Sequence, residues 1–422
     1  MQYLKWLATS ILALLTGILT VQSLTVHPIR MTRHLAALCT AVFALVLVLA
    51  GSFQGNALLA AIALALIVFA VGYWGMTRAF LAREDPRPVP ELTRAEGDPG
   101  LGHTAVVYFT HGEPETYDPI GWINQFNEFD EQGIGFVPLV ARPLFVNQLR
   151  NKYLAVGRSN HRRMHLRMVN RLQEAFCAEG FGTLRFYCSF LDDNPRPDAA
   201  VIQALNEGAS RIVVSEVFLT ISNHTAEGKE LIEALNVEER FGVPLVFTGP
   251  MYDSETLQRM FVHRAQAHIG DTAKTEVGIL LVGHGQPDEW DVEWASETEQ
   301  EIGFREAVLE RLKDDGYRPE NLGLAWMEFK EPHPADLIEE FVGNGVSKVL
   351  YFSAAISADA LHSQWDVPAL VDKAQVPEGF PLVNLGAWND DPIVIQAIKE
   401  KIDAGIEGLE TSPTLDGGEA AF

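Results

Sequence analysis

The chain has 422 residues and a formal net charge of −24, with 56 acidic against 32 basic side chains. That balance speaks against a nucleic-acid partner, whose binding depends on clustered Lys and Arg. Only Cys39, Cys177 and Cys188 occur, with no C-x-x-C pair, which speaks against a disulfide framework, a structural zinc cage and an iron–sulfur cluster.

Three apolar stretches come first, at residues 6–26, 35–53 and 57–76, and none contains a charged residue. Each is long enough to cross a hydrocarbon core as a helix, and none shows the polar stripe of a water-soluble helix. Residues 1–80 therefore read as a membrane anchor of three transmembrane helices, the last two forming a hairpin around Gln54, Gly55 and Asn56. Lys5 before the first stretch leaves a second reading, a cleaved signal peptide, although no small-x-small cleavage site follows. Arg30, Arg33, Arg78 and Arg83 flank the spans on one side, and basic flanks prefer the cytoplasm; Lys5 points the other way. The expectation is a multi-pass membrane protein, partnered by the lipid bilayer, with a cytoplasmic globular part.

Residues 81–102 are rich in Pro, Gly and charge and read as a linker. Beyond it, short runs rich in Val, Ile, Leu and Phe recur at 104–110, 184–190, 211–219, 244–248, 277–282, 322–326, 348–352 and 381–385. Such nearly continuous apolar runs suit strands buried on both faces, and helix-like segments such as 164–178 and 304–314 separate them. The alternation predicts parallel sheets covered by helices.

The runs form two sets of four. Pro197 matches Pro334, Arg211 matches Lys348, Pro244 matches Pro381 and Gly249 matches Gly386, each 137 residues apart. The spacing predicts two copies of one α/β unit facing across a pseudo-twofold, residues 103–260 and 275–408, with a flexible tail at 409–422. His111 in VVYFTHGEPE and His284 in ILLVGHGQPD are 173 apart, so the first copy carries 36 extra residues (173 − 137) within about 116–159. This insertion holds Trp122, Phe126, Phe136, Phe145 and Tyr153 and follows the carboxyl end of a strand, where parallel sheets bind ligands. It suits either a cover for a flat apolar molecule or a purely structural flap.

His284 stands between two glycines at a strand end, His362 lies beyond the third strand of the same copy, and Glu328 follows the second. Two imidazoles and a carboxylate converging from three strand ends would hold a divalent metal. The first copy offers His111, Asp192, Asp193, Glu216 and His224 at comparable places, a weaker or degenerate set. Asp288, Glu289, Asp291 and Glu293 could draw in a cation or form a solvated acidic face. No Walker loop, G-x-S-x-G elbow, H-E-x-x-H helix or dinucleotide fingerprint occurs, so neither nucleotide nor flavin is expected.

The segments ILLVGHGQPD, AWMEFKEPHPADLIEEFVGNGVSKVLYF and HSQWDVPALV resemble the type II chelatases, the superfamily of ferrochelatase and the small sirohydrochlorin and cobalt chelatases. FVPLVARPLFVNQLRNKYLAVGRSNHRRMHLRMVNRLQEAF is similar to the ferrochelatase segment that covers the porphyrin and enters the first long helix. The resemblance implies two flavodoxin-like half-domains and insertion of a divalent metal substrate, Fe2+ first and Co2+ second, into a tetrapyrrole. It implies His284 as base or first metal ligand, His362 as metal ligand and Glu328 as an auxiliary carboxylate. Arg142, Phe145 and Tyr153 would contact the tetrapyrrole. Ferrochelatases carry a Ser-Asp/Glu-His-x-Glu stretch where this chain reads Ser357-Ala358-Asp359-Ala360-Leu361-His362, which opens the choice between protoporphyrin and sirohydrochlorin. A membrane anchor fits the more lipid-soluble product, haem. A non-catalytic tetrapyrrole or metal carrier on the same fold is the rival reading.

Overall fold

A computed structural model describes residues 2–83, 87–131, 135, 137–180 and 183–411. Phe136 and most of the expected tail (412–422) lie outside the described residues. The chain divides into two compact units: residues 1–86 with 116–158, and residues 87–115 with 159–422.

The first unit contains α1 (Gln2–Thr25), α2 (Pro28–Ser52) and α3 (Gly55–Leu81), all long and apolar enough to cross a membrane. Helices α1 and α3 cross closely because glycine faces backbone. A Cβ on Gly17 would lie 2.3 Å from the Phe69 carbonyl oxygen, and one on Gly72 would lie 2.4 Å from that of Leu14. Small residues at such crossings let membrane helices gain van der Waals contact.

From the segment inserted after β1 (His103–Thr110), α4 (Gly121–Glu131) and α5 (Arg142–Val156) belong to this same unit. The Arg150 guanidinium donates to the carbonyls of Ser23 (2.7 Å) and Val26 (3.1 Å), and the Tyr117 hydroxyl donates to that of Thr25 (2.9 Å). These bonds satisfy carbonyls that the end of α1 leaves without helical partners. The aromatic-rich segment is thus fastened to the apolar helices rather than standing alone.

The second unit continues through α6 (His161–Ala178), β2 (Leu184–Phe190), α7 (Pro197–Asn206), β3 (Ala209–Glu216), α8 (Asn223–Glu233), α9 (Val237–Phe241), β4 (Leu245–Phe247) and α10 (Glu255–His268). Its second half runs β5 (Val277–Gly283), α11 (Asp288–Asp291), α12 (Ala295–Asp314), β6 (Leu322–Trp326), α13 (Pro334–Gly343), β7 (Lys348–Ser353), α14 (Val367–Val371), β8 (Leu382–Asn384) and α15 (Pro392–Thr411). The strands form two four-stranded parallel sheets, ordered β2-β1-β3-β4 and β6-β5-β7-β8. The matching orders are what the 137-residue offset predicts, and finer details repeat as well. The cis bonds Asn194–Pro195 and Glu331–Pro332 share that offset, as do Gly249 (φ +71°) and Gly386 (φ +70°).

Every residue of β1 and β5 is buried, as expected of central strands with helices on both faces. One apolar core joins the two lobes through Tyr108, Met168, Phe261, Phe304, Phe352 and Trp388. The Pro/Gly-rich stretch is docked, not slack: Arg94 donates to the carbonyls of Ala209 and Asp98, and the Asn206 side chain bonds Glu91 and Thr93.

Candidate functional site

In each sheet the chain passes from the central strand to one side, then returns to the other. The crevice between the central strand and its third-strand neighbour is therefore a topological switch point, where open parallel sheets place ligands. His284 leaves the carboxyl end of β5 on one side of this crevice, and His362 follows β7 on the other. Their rings lie 5.2 Å apart, edge to face at 84°.

Each ring is oriented by a partner that can only accept. His284 Nδ1 donates to the Gly285 carbonyl at 2.6 Å, and His362 Nδ1 donates to Asp366 Oδ2 at 2.9 Å. In its neutral form each ring so bonded carries the lone pair on Nε2, the form that binds metal or accepts a proton. Gly285 sits at φ +81°, and its Cβ would stand 2.2 Å from the Glu328 carbonyl oxygen. His362 opens a single π turn, His362–Asp366, which brings Asp366 back onto its ring. Such turns recur at functional sites.

Glu328 is drawn in by its backbone, whose N–H donates to the His284 carbonyl at 3.1 Å. Loss of hydration lowers the His284 pKa, the neighbouring His362 lowers it further, and the Glu328 charge opposes both. The imidazole is accordingly neutral near pH 7.

A buried scaffold fixes His284 from behind. Its backbone N–H donates to Glu301 Oε1 at 2.7 Å, and Arg305, one turn further along α12, is fully buried. The guanidinium donates to the carbonyls of Leu281 (3.2 Å) and Ala325 (2.7 Å), lies 4.0 Å over the Trp326 ring and stands 3.8 Å from Glu301. Gly283 carries no side chain because that space is taken: its Cβ would lie 2.1 Å from Glu301 Oε1. One turn before Glu301, burial and the charges of Glu301 and Asp291 push the Glu297 carboxyl up to about 8.

Further groups reach the site from the first lobe, and sequence reading did not single them out. Glu113 accepts the Leu361 N–H on both carboxylate oxygens (3.1 and 3.3 Å), tying the end of β1 to the turn that carries His362. Burial raises its carboxyl pKa. His161 and His165 are buried on successive turns of α6, with Nε2 atoms 3.2 Å apart. The Tyr108 hydroxyl lies 2.8 Å from His165 Nδ1, and the Ser357 hydroxyl lies 3.3 Å from its Nε2. Burial, with a smaller effect from His111, pushes the His165 pKa down to about 3. The only sequence signal for these groups was their nearness to a strand end or the i,i+4 spacing within HRRMH.

Of the acidic run, Asp288 and Asp291 pair with Lys330, while Glu289 and Glu293 are solvated. Arg142, Phe145 and Tyr153 lie in the other unit. Arg142 is buried, paired with Asp130 and stacked 5.1 Å over Phe126. Tyr153 is buried against Tyr117 (6.2 Å), and Phe145 packs edge-on against Phe126 (5.6 Å) and tilted against Trp122 (6.0 Å).

No protein-family profile and no curated protein matches the chain. Among solved structures, the chain is similar to SirB from Bacillus subtilis with Fe3+, at 14% identity and a TM-score of 0.47, covering 74% of this chain and 100% of that one. It is also similar to the sirohydrochlorin chelatase SirB from Bacillus subtilis subspecies spizizenii in complex with cobalt, at 12% identity and a TM-score of 0.43, covering 74% and 98%.

Proposed function

We propose that this chain is a membrane-anchored chelatase that inserts a divalent cation, ferrous iron first and cobalt second, into a tetrapyrrole. The observation that carries the reading is the His284–His362 pair, two imidazoles 5.2 Å apart whose Nδ1 atoms are both held by acceptors. Borderline nitrogen donors suit Fe2+ and Co2+ better than Mg2+ or Ca2+. Among the described residues no three His, Cys, Asp or Glu side chains are grouped so as to hold a metal ion.

Insertion forms metal–nitrogen bonds as two pyrrole N–H protons leave. In this mechanism His284 and His362, the latter steadied by Asp366, would hold the cation. Once it passes to the macrocycle, the freed His284 Nε2 accepts the two pyrrole protons in turn as general base and releases each to water, with Glu328 stabilising the imidazolium between transfers. Arg142, Phe145 and Tyr153 are proposed as tetrapyrrole contacts on the resemblance alone; Arg142 and Tyr153 are buried within their own unit. The three apolar helices, flanked by Arg30, Arg33, Arg78 and Arg83, support a multi-pass protein with its globular part in the cytoplasm.

Protoporphyrin is the preferred substrate, because haem partitions into lipid beside the anchor. Sirohydrochlorin is the second reading, favoured by Asp359-Ala360-Leu361-His362 in place of the ferrochelatase pattern. The test is an anaerobic absorbance assay of the full chain in detergent with Fe2+ and each tetrapyrrole. Insertion into one of them, lost in His284→Ala, is expected. Insertion into neither would reject the enzyme and favour the carrier.

A further inference from the structure

The two lobes repeat each other closely, and a side chain that breaks the repeat marks a duty found in one lobe alone. Glu113 and Gln286 occupy the same point, each two residues past a strand-end histidine and 173 residues apart, as His111 and His284 are. Gln286 stays within its own lobe, its amide donating to Asp291 Oδ1 (2.7 Å) and the Trp294 carbonyl (2.9 Å). Glu113 crosses to the second lobe and takes the Leu361 N–H on both carboxylate oxygens, at 3.1 and 3.3 Å.

A second bond reaches the same turn from the first lobe. The Asn160 N–H, just before α6, donates to Gln364 Oε1 at 2.9 Å. Leu361 and Gln364 lie on either side of His362 in the chain, so the first lobe grips the π turn before and after the imidazole. Ser159 joins the two grips: its hydroxyl steadies the Glu113 carboxylate and accepts the His161 N–H at 3.2 Å. The Ser159 N–H donates to the Glu115 carbonyl at 3.0 Å, closing the neck through which the inserted segment leaves this unit and returns.

We propose that Glu113 is a positioning residue that sets where His362 stands relative to His284, with the Asn160–Gln364 bond as its second hold. The N–H groups that open a helical stretch lack partners within it. Leu361 directly precedes the stretch formed by the π turn and α14, and Glu113 caps it from the other lobe. A carboxylate at that end is also favoured by the helix dipole. Without the cap the Leu361 N–H must find water, and the turn shifts with the imidazole it carries. The proposal rests on the chelatase reading in one respect, that the imidazole pair holds the cation.

The test uses the full chain in detergent and follows Co2+ affinity by visible absorption, kcat and KM for insertion, and the melting temperature. Glu113→Ala should weaken Co2+ binding by about 10- to 100-fold, the usual effect of removing a group that orients a ligand. It should lower kcat and leave the tetrapyrrole KM unchanged. Glu113→Gln keeps an acceptor oxygen for the Leu361 N–H and should restore most of the loss. Gln364→Ala, with Gln364→Glu as its rescue, repeats the comparison from the second hold should Glu113→Ala fold poorly. A lower melting temperature with unchanged Co2+ affinity in both alanine variants would make the contacts purely structural and overturn the proposal. Insertion by the unaltered chain, with Co2+ bound as tightly by both alanine variants, would overturn it and leave the chelatase standing. Weakened Co2+ binding in the variants, with no insertion by the unaltered chain, would uphold the positioning role and reject the chelatase. An unaltered chain that binds no Co2+ would overturn both.

Discussion

Replacing Gly283 with alanine adds one methyl group at the most crowded point behind the site. The new Cβ would meet Glu301 Oε1 at 2.1 Å and the Arg305 guanidinium carbon at 2.5 Å. Neither can retreat easily, because Glu301 is 3% exposed and Arg305 is held by two strand carbonyls and the Trp326 face. Overpacking of this kind costs about 1–3 kcal/mol. Displacing Glu301 also breaks its charged hydrogen bond to the His284 N–H, worth about 1.5–3 kcal/mol. We expect a loss of roughly 3–5 kcal/mol in stability, since the two penalties share one displacement. The imidazole would move with its backbone, and a shift near 1 Å costs about 100-fold in rate. Gly303→Ala is the control: it lies on the same helix with nothing within 4 Å of its Cβ, and should be neutral or slightly stabilising. Adding Glu301→Asp, which withdraws the carboxylate by one methylene, should restore part of the loss. The assays are thermal melting of the full chain in detergent and initial rates of metal insertion. Gly283→Ala matching the unaltered chain in both would refute the claim that Glu301 positions His284.

Three other perturbations probe separate parts of the account. Asp366→Asn exchanges the acceptor that fixes the His362 tautomer, and should weaken Co2+ binding at that pair by about 10- to 100-fold; unchanged affinity would remove Asp366 from the site. His165 has a folded pKa depressed to about 3, against an ordinary value near 6.5, so its contribution to stability is complete above pH 6.5 and falls away as the pH drops below that. Between pH 8 and pH 5.5 the loss should be about 1.4 kcal/mol from this residue alone; melting curves of His165→Phe should show a smaller acid-side decline, and an identical decline would contradict the assignment. Gly72→Leu forces a side chain against the Leu14 backbone, and should separate α1 from α3. A disulfide cross-link between cysteines placed at positions 13 and 69 should then form more slowly, and an unaltered rate would count against the close crossing.

Much of the fold was legible because its causes are local. Strands buried on both faces need continuous apolar runs, and Leu184–Phe190 and Leu322–Trp326 stand where those runs predicted. The 137-residue offset reappears in sheet order, turn glycines and cis prolines. The histidines were legible for a different reason: polar residues at the ends of apolar strands have few purely structural duties.

What escaped was long-range or looked like surface. The helix-like segment read from the sequence was 304–314, yet α12 begins at Ala295 and turns Glu301 and Arg305 inward. Charge ordinarily marks a solvated face. Here the missing side chain of Gly283 makes room for the pair, a relation between distant residues that periodicity does not carry. The same holds for 116–158, placed by sequence within the first half-domain. The segment packs with the apolar helices through Arg150 and Tyr117, and nothing local announces those bonds.

The most direct measurement is X-ray absorption on the full chain loaded with one equivalent of Zn2+ as a redox-inert stand-in for the transferred cation. Two imidazole nitrogens at about 2.0–2.1 Å, both lost on His284→Gln with His362→Gln, is the predicted result. A coordination shell of oxygen alone would mean that His284 and His362 hold no metal, and the account would fall.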